Sequence, residues 1–130
     1  MNEKQRLCEP VAPEEDLYRV ISPEWFQERR ISSAAFDYPF FSVDVASLTT
    51  PERTLSRGFR LGSGIASFNC GEATEVGFRA LHEVDPDAPH NDAHAHVYSD
   101  GGRSERKRRT KRLLASAGLK MIREPSIQSD

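Results

Sequence analysis

Two segments near the middle of the chain alternate apolar and polar residues with a period of two, and this constrains the fold more than any other feature. In 76–84, Val76, Phe78, Ala80 and Val84 share one face with His82, while Gly77, Arg79, Leu81 and Glu83 take the other. In 92–98, Ala93, Ala95 and Val97 alternate with His94, His96 and Tyr98. Period two is the side-chain period of a strand, whereas a helix repeats every 3.6 residues. The loop Asp85-Pro86-Asp87-Ala88-Pro89 separates the two runs. Pairing Val84 with Ala93 sets Ala80 against Val97, so the apolar sides match. His94 then lies opposite Glu83 and Tyr98 opposite Arg79. A slip of one residue brings His82 beside His94 but turns Ala93, Ala95 and Val97 to the wrong face, so the first register is expected.

The remaining elements are short. Leu17 to Ile21 and Phe40 to Val45 read as strands, the second with Phe41, Val43 and Val45 on one face and Ser42 and Asp44 on the other. Trp25 and Phe26 anchor a turn after Ser22-Pro23. Thr50-Pro51-Glu52 is a helix start, with a capping hydroxyl, a proline suited to the first position and an acid at the positive end of the dipole; that helix ends by Gly58. Ile65 to Phe68 is a further short strand, and Glu72 to Glu75 a single helical turn. Ser104 is expected to cap a helix running to about Ala117, with Gly118 following as its C′ residue. Leu119 to Arg123 is the last strand, stopped by Pro125. The expectation is one α+β domain over 17–124, with a mixed or antiparallel sheet of about five strands and two main helices. Residues 1–16, with Pro10, Pro13 and several acids, are expected to form a disordered tail, and 125–130 to fray.

Composition narrows the class. No apolar run nears the roughly 20 residues that span a bilayer, and the first residues lack the apolar region of a signal peptide. Two cysteines, Cys8 and Cys70, are too few for a disulfide-stapled or zinc-ribbon fold. A cytoplasmic protein is expected. The net charge of −2 hides an asymmetry: residues 1–102 carry nine Lys and Arg against seventeen Asp and Glu, and residues 103–130 carry nine against three. Such a split suits an anionic partner at the C-terminal part, or a basic helix on an acidic body. The acidic body disfavours nucleic acid as that partner, because it repels a polyanion.

Four groups of residues can carry chemistry. His94 and His96 point to one side of a strand, with His90 close in sequence, yet the spacing lacks a third convergent ligand, so no metal is assigned. On that face His94 is the candidate acid or base, since histidine titrates near neutrality. Arg19, Ser32, Ser33 and Asp44 form the second group: a planar guanidinium and hydroxyls suit a phosphate, with Asp44 orienting Arg19. The alternative is an ordinary edge arginine beside a turn. Gly62-Ser63-Gly64 lacks the third glycine and the lysine of nucleotide loops and reads as a turn. In the C-terminal helix, Lys107, Arg108, Lys111 and Arg112 oppose the apolar side made by Leu113, Leu114 and Ala117, and form a partner-binding face or a solvated one. Arg106 falls on the apolar side, where it either helps bind an anion at the helix N-terminus or pairs with a carboxylate.

The order Leu17-Tyr18-Arg19, Ser32-Ser33-Ala34-Ala35-Phe36, Ser42-Val43-Asp44, Gly62-x-Gly64-Ile65-Ala66 and His94-Ala95-His96-Val97 resembles a small bacterial family of unknown function, over about residues 17–124. Leu17-Tyr18-Arg19 followed by a serine-rich turn also looks like the start of RES-type toxins. That second resemblance implies an ADP-ribosyltransferase-like fold and consumption of NAD, although the Gly-Gly-Arg-Trp-Asn stretch of those toxins is absent.

Two functions follow as expectations. One is a binding module without a cofactor, in a bacterial stress or defence setting, whose partner is an acidic protein or a small phosphorylated ligand. The other is a small enzyme acting on a nucleotide or phosphorylated substrate, by NAD-consuming or phosphoester chemistry. It would need Arg19, Ser33, His94 and Arg106 in one cleft.

Overall fold

A computed structural model describes residues 9–57, 61–83 and 91–126. The domain is α+β. Its main sheet has six strands: β1 (Asp16–Ile21), β4 (Phe40–Val45), β5 (Gly64–Asn69), β6 (Phe78–His82), β7 (His94–Ser99) and β8 (Lys120–Arg123). They are ordered β6-β7-β4-β1-β5-β8, and every neighbouring pair is antiparallel. A separate hairpin pairs β2 (Phe26–Gln27) with β3 (Arg30–Ile31). Three helices are described: α1 (Pro51–Leu55), α2 (Cys70–Glu75) and α3 (Arg103–Leu114).

The β6–β7 register is the one that alternation predicts: Ala80 faces Val97 and Arg79 faces Tyr98. The pairing of Val84 with Ala93 lies outside the described residues. Strand β6 starts later than expected, because Val76 ends α2 and Gly77 turns the chain at φ 110°. Thr50 caps α1 by accepting from the Arg53 N–H at 3.2 Å, ahead of Pro51. Asn69 caps α2 in the same way, through the Glu72 N–H at 3.0 Å.

One sheet face carries the core. Leu17, Ile21, Phe41, Val43, Val45, Ala66, Phe68, Phe78, Ala80, Ala95 and Val97 are buried on it. Helix α3 closes this face with Leu113 and Thr110, and Phe36 fills the gap with its ring 5.6 Å from Phe41 and 5.7 Å from Phe68, both edge-on. Leu114 is only partly buried against the same core.

Three local expectations are corrected. Residues 9–15 do not belong to a loose tail. Val11 is buried in the core, its N–H donates to the Ala80 carbonyl at 2.9 Å, and the His82 N–H donates to the Glu9 carbonyl at 2.9 Å. The segment therefore pairs with the open edge of β6, and the Cys70 and Gly71 N–H groups bind it at Glu15 and Pro13. Residues 1–8 lie outside the described residues. The expected fraying of 125–130 is corrected for its first two residues: Pro125 is buried and the Ser126 N–H donates to the Gly62 carbonyl at 2.9 Å, while 127–130 lie outside the described residues. Finally, Ser104 does not cap α3. Gly102 takes the cap position, and the Glu105 carboxylate accepts from its N–H at 3.3 Å. The helix ends at Leu114, and the Gly118 N–H turns to the Glu72 carboxylate at 3.2 Å instead of closing the helix.

Candidate functional site

Cross-strand partners share a face, so the registers decide which candidates meet. Tyr18 faces Asp44, and Asp44 faces His94, so these three share the side away from the core. Arg19 alternates with Tyr18 and lies on the core side, its guanidinium 4.9 Å over the Phe41 ring. The expectation that Asp44 orients Arg19 is therefore overturned. It lies on the opposite face, buried, where Thr54 Oγ1 donates to it at 2.7 Å, Asn91 Nδ2 at 2.9 Å, and Arg57 pairs with it. This cluster fixes α1 and the chain before β7 to the sheet. Thr54, Arg57 and Asn91 were not legible as its members, since none belongs to a recognisable motif.

The polar side of β6 and β7 assembles as the register dictates. His94 Nδ1 lies 2.7 Å from the Glu83 carbonyl, which can only accept, so Nδ1 carries the proton. His94 Nε2 is buried with no hydrogen-bond partner among the described residues. Tyr98 donates to Glu83 Oε1 at 2.5 Å, and His96 Nδ1 lies 3.5 Å from Glu83 Oε2. The His94 and His96 rings meet edge-on at 4.6 Å. No group of three His, Cys, Asp or Glu among the described residues is placed to hold a metal ion, and His90 lies outside them. Arg79 spans Asp100 by two hydrogen bonds and covers the Tyr98 ring at 5.1 Å, and it holds the exposed Asp100 carboxyl below the usual range.

On the core side, Arg19 enters an aromatic cage. Its Nε donates to the Ala35 carbonyl at 3.0 Å and its Nη1 to the Ser42 carbonyl at 3.2 Å. Its guanidinium carbon lies 5.3 Å from the Trp25 ring centre, and Trp25 in turn meets Tyr38 at 6.4 Å. No carboxylate among the described residues pairs with it. Burial pushes Arg19 down to about 10, against a smaller opposing pull from Tyr38. Trp25 and Tyr38 are the residues that sequence reasoning missed here. Alternation puts Arg19 on one face with Leu17 and Ile21, but Tyr18 and Val20 make the other face apolar too, and nothing local shows which rings cover Arg19.

Ser32, Ser33 and Arg106 gather around the same segment, 32–37. Ser32 Oγ accepts from the Ala34 N–H at 3.2 Å and so caps the turn Ser33–Ala35; both serines are exposed. Arg106 Nε lies 3.7 Å from Asp37 Oδ1, an ion pair too long for a hydrogen bond, which matches the carboxylate-pairing alternative. Thus Arg19, Ser33 and Arg106 share one side of the molecule, and His94 is on the other. Lys107, Arg108, Lys111 and Arg112 are all exposed, and none has an ion-pair partner among the described residues. Gly62, at φ 86°, belongs to a turn, and Gly64 sits where the Arg123 carbonyl crosses β5, leaving no room for a side chain.

No helix among the described residues is long and apolar enough to cross a membrane. Comparison with known proteins gives no match: no family model, no curated protein and no solved structure is similar to the chain.

Proposed function

We propose that the domain is a binding module for a small anionic ligand, anchored by Arg19. One observation carries this reading: a guanidinium held inside the domain against aromatic rings, with two donors spent on carbonyls and no carboxylate among the described residues to neutralise it. A guanidinium has five N–H donors, so those left over and the full charge remain for a ligand. Burying a charge without a partner is unfavourable, and a phosphate or carboxylate supplies the missing partner with charge-assisted hydrogen bonds. Arg19 keeps part of its surface accessible, which gives the ligand an approach. Acid–base catalysis by His94 on this ligand lacks support, because His94 stands on the opposite face of the sheet from Arg19.

Thermal melting and calorimetric titration with inorganic pyrophosphate and with AMP test the reading. The expected result is a saturable rise in Tm with either probe. It should weaken at least tenfold in Arg19→Lys, which keeps the charge but loses the fork, and vanish in Arg19→Met. Equal stabilisation of wild type and Arg19→Met, or no response to either probe, overturns it.

A further inference from the structure

A second feature, independent of Arg19, lies at the far edge of the sheet. The hairpin, the end of α3 and strand β8 enclose an open groove of about 460 Å³. Its floor is apolar, from Ile31, Leu114, Leu119 and Met121. Its rim is basic, from Arg29, Arg30 and Lys120, and no carboxylate lines it. Small-molecule sites enclose most of their ligand, whereas a groove open along its outer side covers only one face. That shape suits a segment of a longer chain.

The backbone adds a direction. Strand β8 is the last in the sheet order, so one of its edges has no strand partner among the described residues. Strand β8 is short and has charged ends, Lys120 and Arg123, but between them it offers Met121 to the groove and an exposed Ile122. An added strand would find apolar contacts on both sides.

The hairpin turn supplies a third observation. Glu28 and Arg29 both adopt left-handed backbone, at φ 53° and 62°, where two-residue hairpins normally place Asn and Gly. Strain of this kind persists at functional positions. Here it brings Arg29 and Arg30 to the rim of the groove.

We infer that this groove takes an extended acidic segment of a protein partner, which adds to β8 as a further strand, with apolar side chains on the Met121 floor and carboxylates at Arg29, Arg30 and Lys120. Main-chain hydrogen bonds to the edge give affinity, and the basic rim selects for acid.

The test uses the full chain and a fluorescent eight-residue peptide of alternating glutamate and valine, with a lysine–valine peptide as control. The glutamate peptide should bind saturably and slow hydrogen exchange at Lys120–Arg123; the lysine peptide should not bind. Reversal of the rim, Arg29→Glu with Arg30→Glu, should weaken binding at least tenfold. These side chains are exposed, so the fold should persist, which the melting curve verifies. Reversal of Lys107 and Arg108 on the solvent side of α3 should change binding less than twofold. The inference is overturned by no binding, by equal binding of both peptides, by binding insensitive to the rim or lost with Lys107 and Arg108, or by binding that leaves β8 exchange unchanged.

Discussion

Replacing the hairpin turn, Glu28→Asn with Arg29→Gly, should make the protein more stable. Both residues hold a positive φ, at 53° and 62°. For an L-residue that conformation costs roughly 1–2 kcal/mol, because Cβ crowds the next carbonyl oxygen. Glycine removes the penalty at one position, and asparagine tolerates it at the other. Glycine also frees the unfolded chain, which takes back about 0.5–1 kcal/mol. Neither side chain has a hydrogen bond or ion pair among the described residues, so no contact is lost, and the flanking pairs Phe26–Ile31 and Gln27–Arg30 stay in register. The net gain is about 1–2 kcal/mol, which for a domain of this size raises Tm by roughly 3–8 °C. Urea denaturation followed by circular dichroism should show a higher midpoint with an unchanged m value. The same variant lacks Arg29 and should bind the glutamate–valine peptide more weakly, so stability and binding move in opposite directions. A midpoint that stays put or falls, with m unchanged, would refute the claim that strain is stored in this turn.

Other outcomes follow from the packing. Asp44→Ala should cost about 3–5 kcal/mol, since it strands the Arg57 charge and the donors of Thr54 and Asn91; a loss below 1 kcal/mol, or no coupling to Arg57→Met in a double-mutant cycle, would remove Asp44 from its central position. Deleting residues 1–14 should cost about 2–5 kcal/mol, from the burial of Val11 and the hydrogen bonds that Val11 and Glu9 make to β6, and melting of the truncated chain checks this. Burial raises the Cys70 thiol above its ordinary range, so the unfolded chain ionises first as pH climbs, and Cys70 contributes a loss of stability beyond the ordinary thiol pKa. In a Cys8→Ser background, Cys70 should resist a thiol reagent at pH 8 until the protein unfolds, and immediate labelling would contradict its burial.

What the sequence determined by itself was local and periodic. Alternation in 76–84 and 92–98 was enough to set Ala80 against Val97, because a slip of one residue would have exposed every apolar side chain of one strand. Thr50-Pro51-Glu52 specified the start of α1, because capping needs only neighbours within one turn. The parity of Leu17, Arg19 and Ile21 put these three on one face, but Tyr18 and Val20 are apolar as well, so the face that holds the core was not legible there. What only tertiary structure decided was which distant pieces meet. The order β6-β7-β4-β1-β5-β8 makes β4 the neighbour of both β1 and β7, and the registers that pair Tyr18 with Asp44 and Asp44 with His94 leave Arg19 on the opposite face of the sheet. The prolines and acids around Val11 read as a tail, yet the open edge of β6 and the burial of one valine in the core order the segment. The cage around Arg19 and the groove beside β8 are made by residues far apart in the chain. Side-chain period carries no information about such pairs, because it records which way each residue points and not what stands opposite.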